Sequence, residues 1–158
     1  MLHPRHFFTT LLLVLFLIPS LPADAEEIKI DGVLDEALWS SAREWTEYFE
    51  SIPFSLAEPK HAQKVLILED EKGMYFGFIN EQPRETIRAN QHQRDNERAN
   101  ADRAGVSIDF DGDGLTAYGF SVSAGGSISD SIYRNENQGN TDWDADWDSA
   151  THIEGDAW

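Results

Sequence analysis

Cysteine is absent from the chain. That excludes disulfides, a thiol nucleophile, a thiolate metal site and the lipid-bearing residue of a lipoprotein. Basic residues are scarce: 12 Lys and Arg stand against 29 Asp and Glu, for a net charge of −17. A field of that sign repels nucleic acid and anionic lipid, and favours neutral polar ligands or cations. No G-x-S-x-G, H-E-x-x-H or phosphate-cradling glycine loop occurs, so the familiar nucleophile, zinc-hydrolase and nucleotide signatures are missing. His61, His92 and His152 are scattered without ligand spacing. Nothing marks two of the many acids as a catalytic pair of the glycosidase kind. The chain therefore reads as non-enzymatic.

The one long apolar run is N-terminal. Arg5 precedes Phe7 to Ile18, Pro19 interrupts, and Ala23-Asp-Ala25 offers a small-x-small cleavage site. The run is short for a membrane span, so residues 1–25 are expected to be a secretory signal peptide. The expected location is outside the cytoplasm: periplasm, outer membrane or extracellular space. Residues 26–158 suffice for one domain and one core.

What is present is alternation. Val106, Ile108 and Phe110 fall two apart, as do Tyr118, Phe120 and Val122. A period of two places one row in a core and the other in water. Asp111-Gly-Asp-Gly114 and Ala124-Gly-Gly126 separate these runs and the next, Ser127 to Arg134. Such glycine pairs mark hairpin turns. Residues 104–134 are thus expected to form a three-stranded antiparallel meander. Lys64–Glu69 and Met74–Ile79 flank Asp70-Glu-Lys-Gly73 as a second hairpin. Both of its strands are apolar on both faces, which predicts central strands covered on each side.

Ile28–Ile30 reads as a short edge strand, Trp45–Glu50 as a weak strand and Asp146–Glu154 as a further one. A short helix is expected after Asp35, and a helical turn at Arg84–Ile87. Gln82–Asp102 is a long polar connection, and Asn135–Thr141 an irregular one. Ala157-Trp158 looks like the start of a strand, so the natural protein is expected to continue past it. The fold class is all-β: an antiparallel β-sandwich, jelly-roll-like, with one short helix near the N-terminus.

Three stretches could carry chemistry. Thr141-Asp-Trp-Asp-Ala-Asp-Trp-Asp148 interleaves Trp143 and Trp147 with four aspartates. Indoles stack on the C–H faces of sugars, and carboxylates accept hydrogen bonds from hydroxyls. Trp147 adjoins a predicted strand and reads as nearer the core, which leaves Trp143 as the better ligand contact. Arg94 and Asp95, in the polar connection, suit sugar hydroxyls as well, with surface salt bridging the commoner alternative. Asp109, Asp111 and Asp113 copy the opening of a calcium loop, but Phe120 stands where the bidentate glutamate belongs. A hairpin turn with solvated aspartates is the preferred reading there, with a looser calcium site as the alternative.

Taken in order, several segments resemble family 9 carbohydrate-binding modules. They are Ile30-Asp-Gly-Val-Leu-Asp-Glu-Ala-Leu-Trp39, Met74-Tyr-Phe-Gly-Phe78, Arg94-Asp95, Asp102 to Asp109, Tyr118-Gly-Phe120, Gly126, Asp130 and Trp143-Asp-x-x-Trp147. The nearest likeness is to the version heading bacterial envelope proteins whose C-terminal part is thought to be a membrane β-barrel. The resemblance implies a β-sandwich that binds an oligosaccharide or polysaccharide, often with structural calcium. It also implies a covalent C-terminal partner, either a β-barrel or a glycoside hydrolase. Family 9 modules clasp sugar between two tryptophans; the resemblance carries over to Trp143 and less directly to Trp147, while the second clamp tryptophan has no match in the earlier half of the chain. Two other readings stand beside it: a structural domain heading a barrel protein with no sugar affinity, and a haem-binding relative. Met74, in a predicted central strand, argues against the haem reading.

Overall fold

The computed structural model describes residues 27–96, 98–135 and 138–158; the expected signal peptide, 1–25, lies outside them. Within them the chain is all-β. Strands β1 (Arg43–Trp45), β2 (Gln63–Glu69) and β3 (Met74–Asn80) form one antiparallel sheet in the order β1-β2-β3. Strands β4 (Arg103–Ile108), β5 (Thr116–Ser123), β6 (Ile128–Arg134) and β7 (Gln138–Asn140) form a second, in the order β4-β5-β6-β7. The only helical segments among the described residues are 3-10 turns at Ala37–Ser41 and Arg84–Thr86.

The expected meander is β4-β5-β6. Its register sets Val106 beside Phe120 and Phe120 beside Asp130, with Ala104–Val122–Ile128 on one side and Ile108–Tyr118–Ile132 on the other. Directly opposed residues share a face, so this face is apolar except for Asp130. The tight β5–β6 turn closes through Ser123 N–H to Ser127 O at 2.8 Å, with Gly126 at φ 84°. Gly-type turns supply the left-handed backbone this connection needs. At the β2–β3 turn, Asp70 accepts hydrogen bonds from the amides of Lys72 (2.7 Å) and Gly73 (3.0 Å).

Several boundaries differ from expectation. No strand forms at Ile28–Ile30; Ile28 is nevertheless buried. The predicted strand over Trp45–Glu50 is instead Arg43–Trp45. Residues Asp146–Ile153 are irregular rather than extended in a sheet, while Gln138–Asn140, within the stretch expected to be loop, pairs with β6. The second hairpin is only half as central as its composition suggests. Strand β2 lies between β1 and β3, whereas β3 is an edge met only at its end, where Asn80 and Trp158 exchange backbone hydrogen bonds (2.9 and 3.1 Å).

The N-terminal segment covers the first sheet through a carboxylate. Glu36 is buried and accepts from the Lys29 amide and the Trp39 indole, each at 2.9 Å. Those bonds, the Lys29 amide first, hold its carboxyl below the ordinary range. They fix Trp39 and Leu34 against Gly77, where a Cβ would come within 2.8 Å of the Leu34 side chain. At the turn before them, Gly32 (φ 85°) lies so close to Thr151 and His152 that a Cβ would meet their backbone at 2.7–2.8 Å. Gly32→Ala is expected to cost more than about 2 kcal/mol, because the left-handed strain and the backbone collision add. A urea midpoint within error of wild type would show that the 31–33 turn is free to move away.

Side chains of both sheets line one cavity of about 650 Å³. Phe76 and Phe78 of β3 contribute from one sheet, and Val106, Ile108, Phe120 and Val122 from the other. Among the described residues the buried apolar set is small: Ile28, Trp39, Val65, Ala104, Ala124 and Ile132.

Candidate functional site

The site is built around Asp130. Ile128, Asp130 and Ile132 share the apolar face of β6, so the carboxylate is delivered to the interior and is 2 % exposed. A buried carboxylate must be paired and hydrogen-bonded. Arg94 provides the partner: its Nε and Nη2 donate to Asp130 Oδ1 (3.0 and 2.7 Å) and Nη2 also to Oδ2 (2.8 Å). Hydrogen bonding to Asp130 in turn raises the pKa of the Arg94 guanidinium.

Two irregular segments are stitched to β6 by this pair. The first is the polar connection. Asp95, in a left-handed conformation (φ 60°), donates its amide to Ile128 O (3.2 Å), and its Oδ1 accepts from the Asp130 amide (3.0 Å). The second is the tryptophan segment. The Ala145 amide donates to Asp130 Oδ2 (2.5 Å), Arg94 Nη2 reaches Ala145 O (3.4 Å), and Arg94 Nε lies 3.1 Å from Asp144 Oδ1. Arg94, Asp95, Trp143 and Trp147 are therefore brought together, as their grouping as ligand candidates requires. Arg94 and Asp95, however, direct their polar atoms into the protein.

Anchoring Ala145 sets both tryptophans on the rings of β5. Trp143 packs on Tyr118 (centroids 5.1 Å, 54°) and edge-on to Phe120 (6.0 Å, 71°); Trp147 packs edge-on to the same Phe120 (5.5 Å, 75°). Phe110 continues the row against Tyr118 (5.6 Å) and is 62 % exposed. The result is a ladder, Phe110–Tyr118–Trp143–Phe120–Trp147, running from solvent inward. Trp143 and Trp147 are each half-buried, and the Trp147 indole nitrogen is buried without a hydrogen-bond partner. Tilted contacts of this kind hold rings rigidly and leave part of each face free.

The metal expectation moves. Asp109, Asp111 and Asp113 do not converge on a common point. Asp109 instead accepts the amides of Asp111 (3.1 Å), Gly112 (2.8 Å) and Gly114 (2.7 Å), and Asp113 accepts that of Leu115 (2.8 Å). The Gly114 amide leads in holding the Asp109 carboxyl below its ordinary range. The aspartates shape their own turn. Among the described residues the three carboxylates that do converge are Asp95, Asp130 and Asp144, with ligand atoms within 4.8 Å of one another. Such a triad could hold a cation in principle. The cation lying among them is the guanidinium of Arg94, which bonds Asp130 and lies 3.1 and 3.6 Å from Asp144 and Asp95. With both Asp130 oxygens so engaged, a metal fits there only if Arg94 withdraws.

The polar connection is closed at its base by Asp102. Its carboxylate accepts from the Arg88 amide (2.8 Å), the Arg88 guanidinium (2.8 and 3.0 Å) and the Gln82 amide (3.0 Å). Burial alone would push this carboxyl up; the Arg88 and Gln82 donors outweigh it and hold it down. A carboxyl depressed in the fold contributes stability above its unfolded value, about pH 4, and loses it as pH falls through the folded value. Glu36 and Asp109 act with the same sign. The melting temperature is expected to be level above about pH 5 and to fall below about pH 4. Asp102→Asn should make that acid limb shallower; an unchanged slope in thermal melts would remove Asp102 from the account.

Asp130, Phe120 and Tyr118 were not among the residues singled out from sequence as ligand contacts. One signal was available for Asp130: a carboxylate in the inward row between Ile128 and Ile132 must be buried with a partner. Comparison of the chain with protein-family models, with curated proteins and with solved structures finds no match in any of the three.

Proposed function

We propose that this chain is an exported, non-catalytic carbohydrate-binding domain with a β-sandwich architecture, its two sheets facing each other across the shared cavity. The observation that carries the reading is the aromatic ladder. Phe110, exposed just past the end of β4, and Trp143, half-buried on Tyr118 and Phe120 of β5, offer ring surface there. Asp111, Asp113, Asp142 and Asp144 lie exposed in the same two chain segments. Apolar ring area and carboxylate acceptors are what recognition of a neutral sugar needs. Export is inferred from the N-terminal sequence alone. The family 9 likeness supports both the sandwich and the sugar, and extends to a C-terminal β-barrel or glycoside hydrolase partner.

Binding to a glycan array, followed by calorimetry on the best ligand, tests the reading. Retention of one glycan class is expected; no retention of any would sink it. The reading in which the domain is a scaffold heading a barrel protein is favoured by a different observation, the engagement of Arg94, Asp95 and Trp147 in internal contacts. Among the described residues, the carboxylates that could hold calcium together are those of Asp95, Asp130 and Asp144. If it binds, it must displace Arg94, so a calcium-dependent rise in melting temperature should vanish in Asp144→Ala; a rise that survives places the ion elsewhere.

A further inference from the structure

The connection between β1 and β2, residues 46–62, is long and carries no strand or helix of its own. Segments of that kind in a compact domain usually serve a function. Among the described residues eleven large hydrophobics are exposed, and five of them fall within positions 45–56: Trp45, Phe49, Ile52, Phe54 and Leu56. Scattered exposed apolar residues need no explanation, but a cluster of this density marks an interaction surface. Ile52 is 91 % and Phe54 80 % exposed, and every residue from 49 to 58 is open to solvent. The polar groups of this loop turn inward instead. The Glu50 amide donates to Ala57 O (2.9 Å), the Leu56 amide to Glu50 O (3.1 Å) and the Ser55 amide to Pro53 O (2.7 Å). The Ser55 hydroxyl donates to the Glu50 carboxylate and accepts from the Ala57 amide (3.1 Å). Leu56 takes a left-handed backbone (φ 53°) within this closure, a conformation uncommon for a bulky residue. A backbone satisfied within its own segment is what entry into a lipid layer demands; a segment that docks by adding a strand to a protein leaves those groups free.

Charge selects the kind of surface. Between Trp45 and Pro59 the charged residues are Glu47, Glu50 and Glu58, with no Lys or Arg among them, and the whole chain carries −17. That acidic collar repels anionic lipid, and it equally repels a second copy of this chain. It suits a zwitterionic headgroup, whose outermost group is an ammonium. We propose that residues 49–56 enter the headgroup layer of a bilayer with no net surface charge, and seat Ile52, Pro53 and Phe54 at the hydrocarbon boundary. Trp45 and Tyr48, at the base of the loop, then lie at headgroup depth, where such rings are favoured. Apolar area leaving water drives the insertion, and a single short loop makes it reversible. The loop shares no residue with the aromatic ladder and none with the walls of the space between the sheets, so this stands or falls apart from the sugar reading.

The test uses the chain from Glu26 onward, the form expected after export, which holds every described residue. Flotation with phosphatidylcholine vesicles is compared with flotation on the same vesicles doped with phosphatidylglycerol. The pure vesicles are expected to carry the protein; the doped ones should carry less of it at low salt, and the deficit should close as salt rises. Ile52→Ser and Phe54→Ser should each lower partitioning at least about fivefold, and leave the melting temperature unchanged because both side chains lie in water. Phe54→Trp should add an indole emission that lipids brominated in the upper acyl chain quench. No flotation on phosphatidylcholine, serine variants that float as wild type does, or an added indole that escapes quenching overturns the proposal. Tighter binding to the doped vesicles at low salt overturns the assignment to an uncharged surface. Sedimentation as a dimer that Phe54→Ser breaks gives the loop to a second copy and overturns the proposal as well.

Discussion

Arg94→Ala is expected to lower the urea midpoint of unfolding clearly, and by more than Asp130→Ala does, because it strands a buried carboxylate. The reason lies in what is left behind. The Asp130 side chain is 0 % exposed and receives three hydrogen bonds from the guanidinium. Without them a buried carboxylate keeps only the Ala145 amide as donor. Asp130→Ala should cost less, because Arg94 is 38 % exposed and can turn its charge to water. The asymmetry between partners is the signature of a buried carboxylate rather than of an ordinary surface ion pair. Replacing both, as Arg94→Met with Asp130→Leu, should recover most of the loss, short of about 1 kcal/mol for the unpaired Ala145 amide. Arg94→Lys keeps the charge but not the two-pronged geometry, and should fall between. Urea midpoints of the five proteins decide it; an Arg94→Ala midpoint within error of wild type would mean that the pair does not hold the two loops to β6.

That pair also explains which parts of the molecule were legible in its sequence. The β4-β5-β6 meander was, because each strand alternates and each turn carries glycine where the backbone goes left-handed, as at Gly126. The β2–β3 hairpin was, through Asp70 and Gly73. Composition misled at β3: Tyr75 and Ile79 on one face and Phe76 and Phe78 on the other made it look like a central strand, yet it is the edge of its sheet. It misled again at Asp146–Ile153, which is tied in just before its start by the bond from the Ala145 amide to Asp130, and at Thr151 and His152 by the close approach of Gly32, rather than by a strand partner. Local pattern reports periodicity, and these contacts are set by tertiary partners far away in sequence. Arg94 and Asp95 lie far in sequence from the segment that carries Trp143 and Trp147, and no local pattern announces that Asp130 ties the two together. Arg94 and Asp95 serve Asp130, and the acidic turn at Asp109 satisfies its own amides instead of converging on a metal.

Trp143→Ala and Phe110→Ala are expected to separate recognition from stability. The first removes the middle ring of the ladder and the second its outer end. Phe110 is 62 % exposed and touches only Tyr118 among the rings, so its removal should change stability by less than about 1 kcal/mol. Trp143 is half-buried against Tyr118 and Phe120, and truncation there should cost about 1–2 kcal/mol, below the value for a fully buried indole. If the ladder stacks on a sugar, both variants should lose affinity, with Trp143→Ala losing about 10–100-fold, or roughly 1.5–3 kcal/mol. Trp143→Phe should restore most of the packing and part of the binding, since a smaller ring still offers a face. Affinity and stability would then rank the three variants differently: Phe110→Ala stable but weakened in binding, Trp143→Ala impaired in both, Trp143→Phe intermediate. A glycan that binds all three as it binds wild type would show that the rings at positions 110 and 143 exist only to cover the sheet.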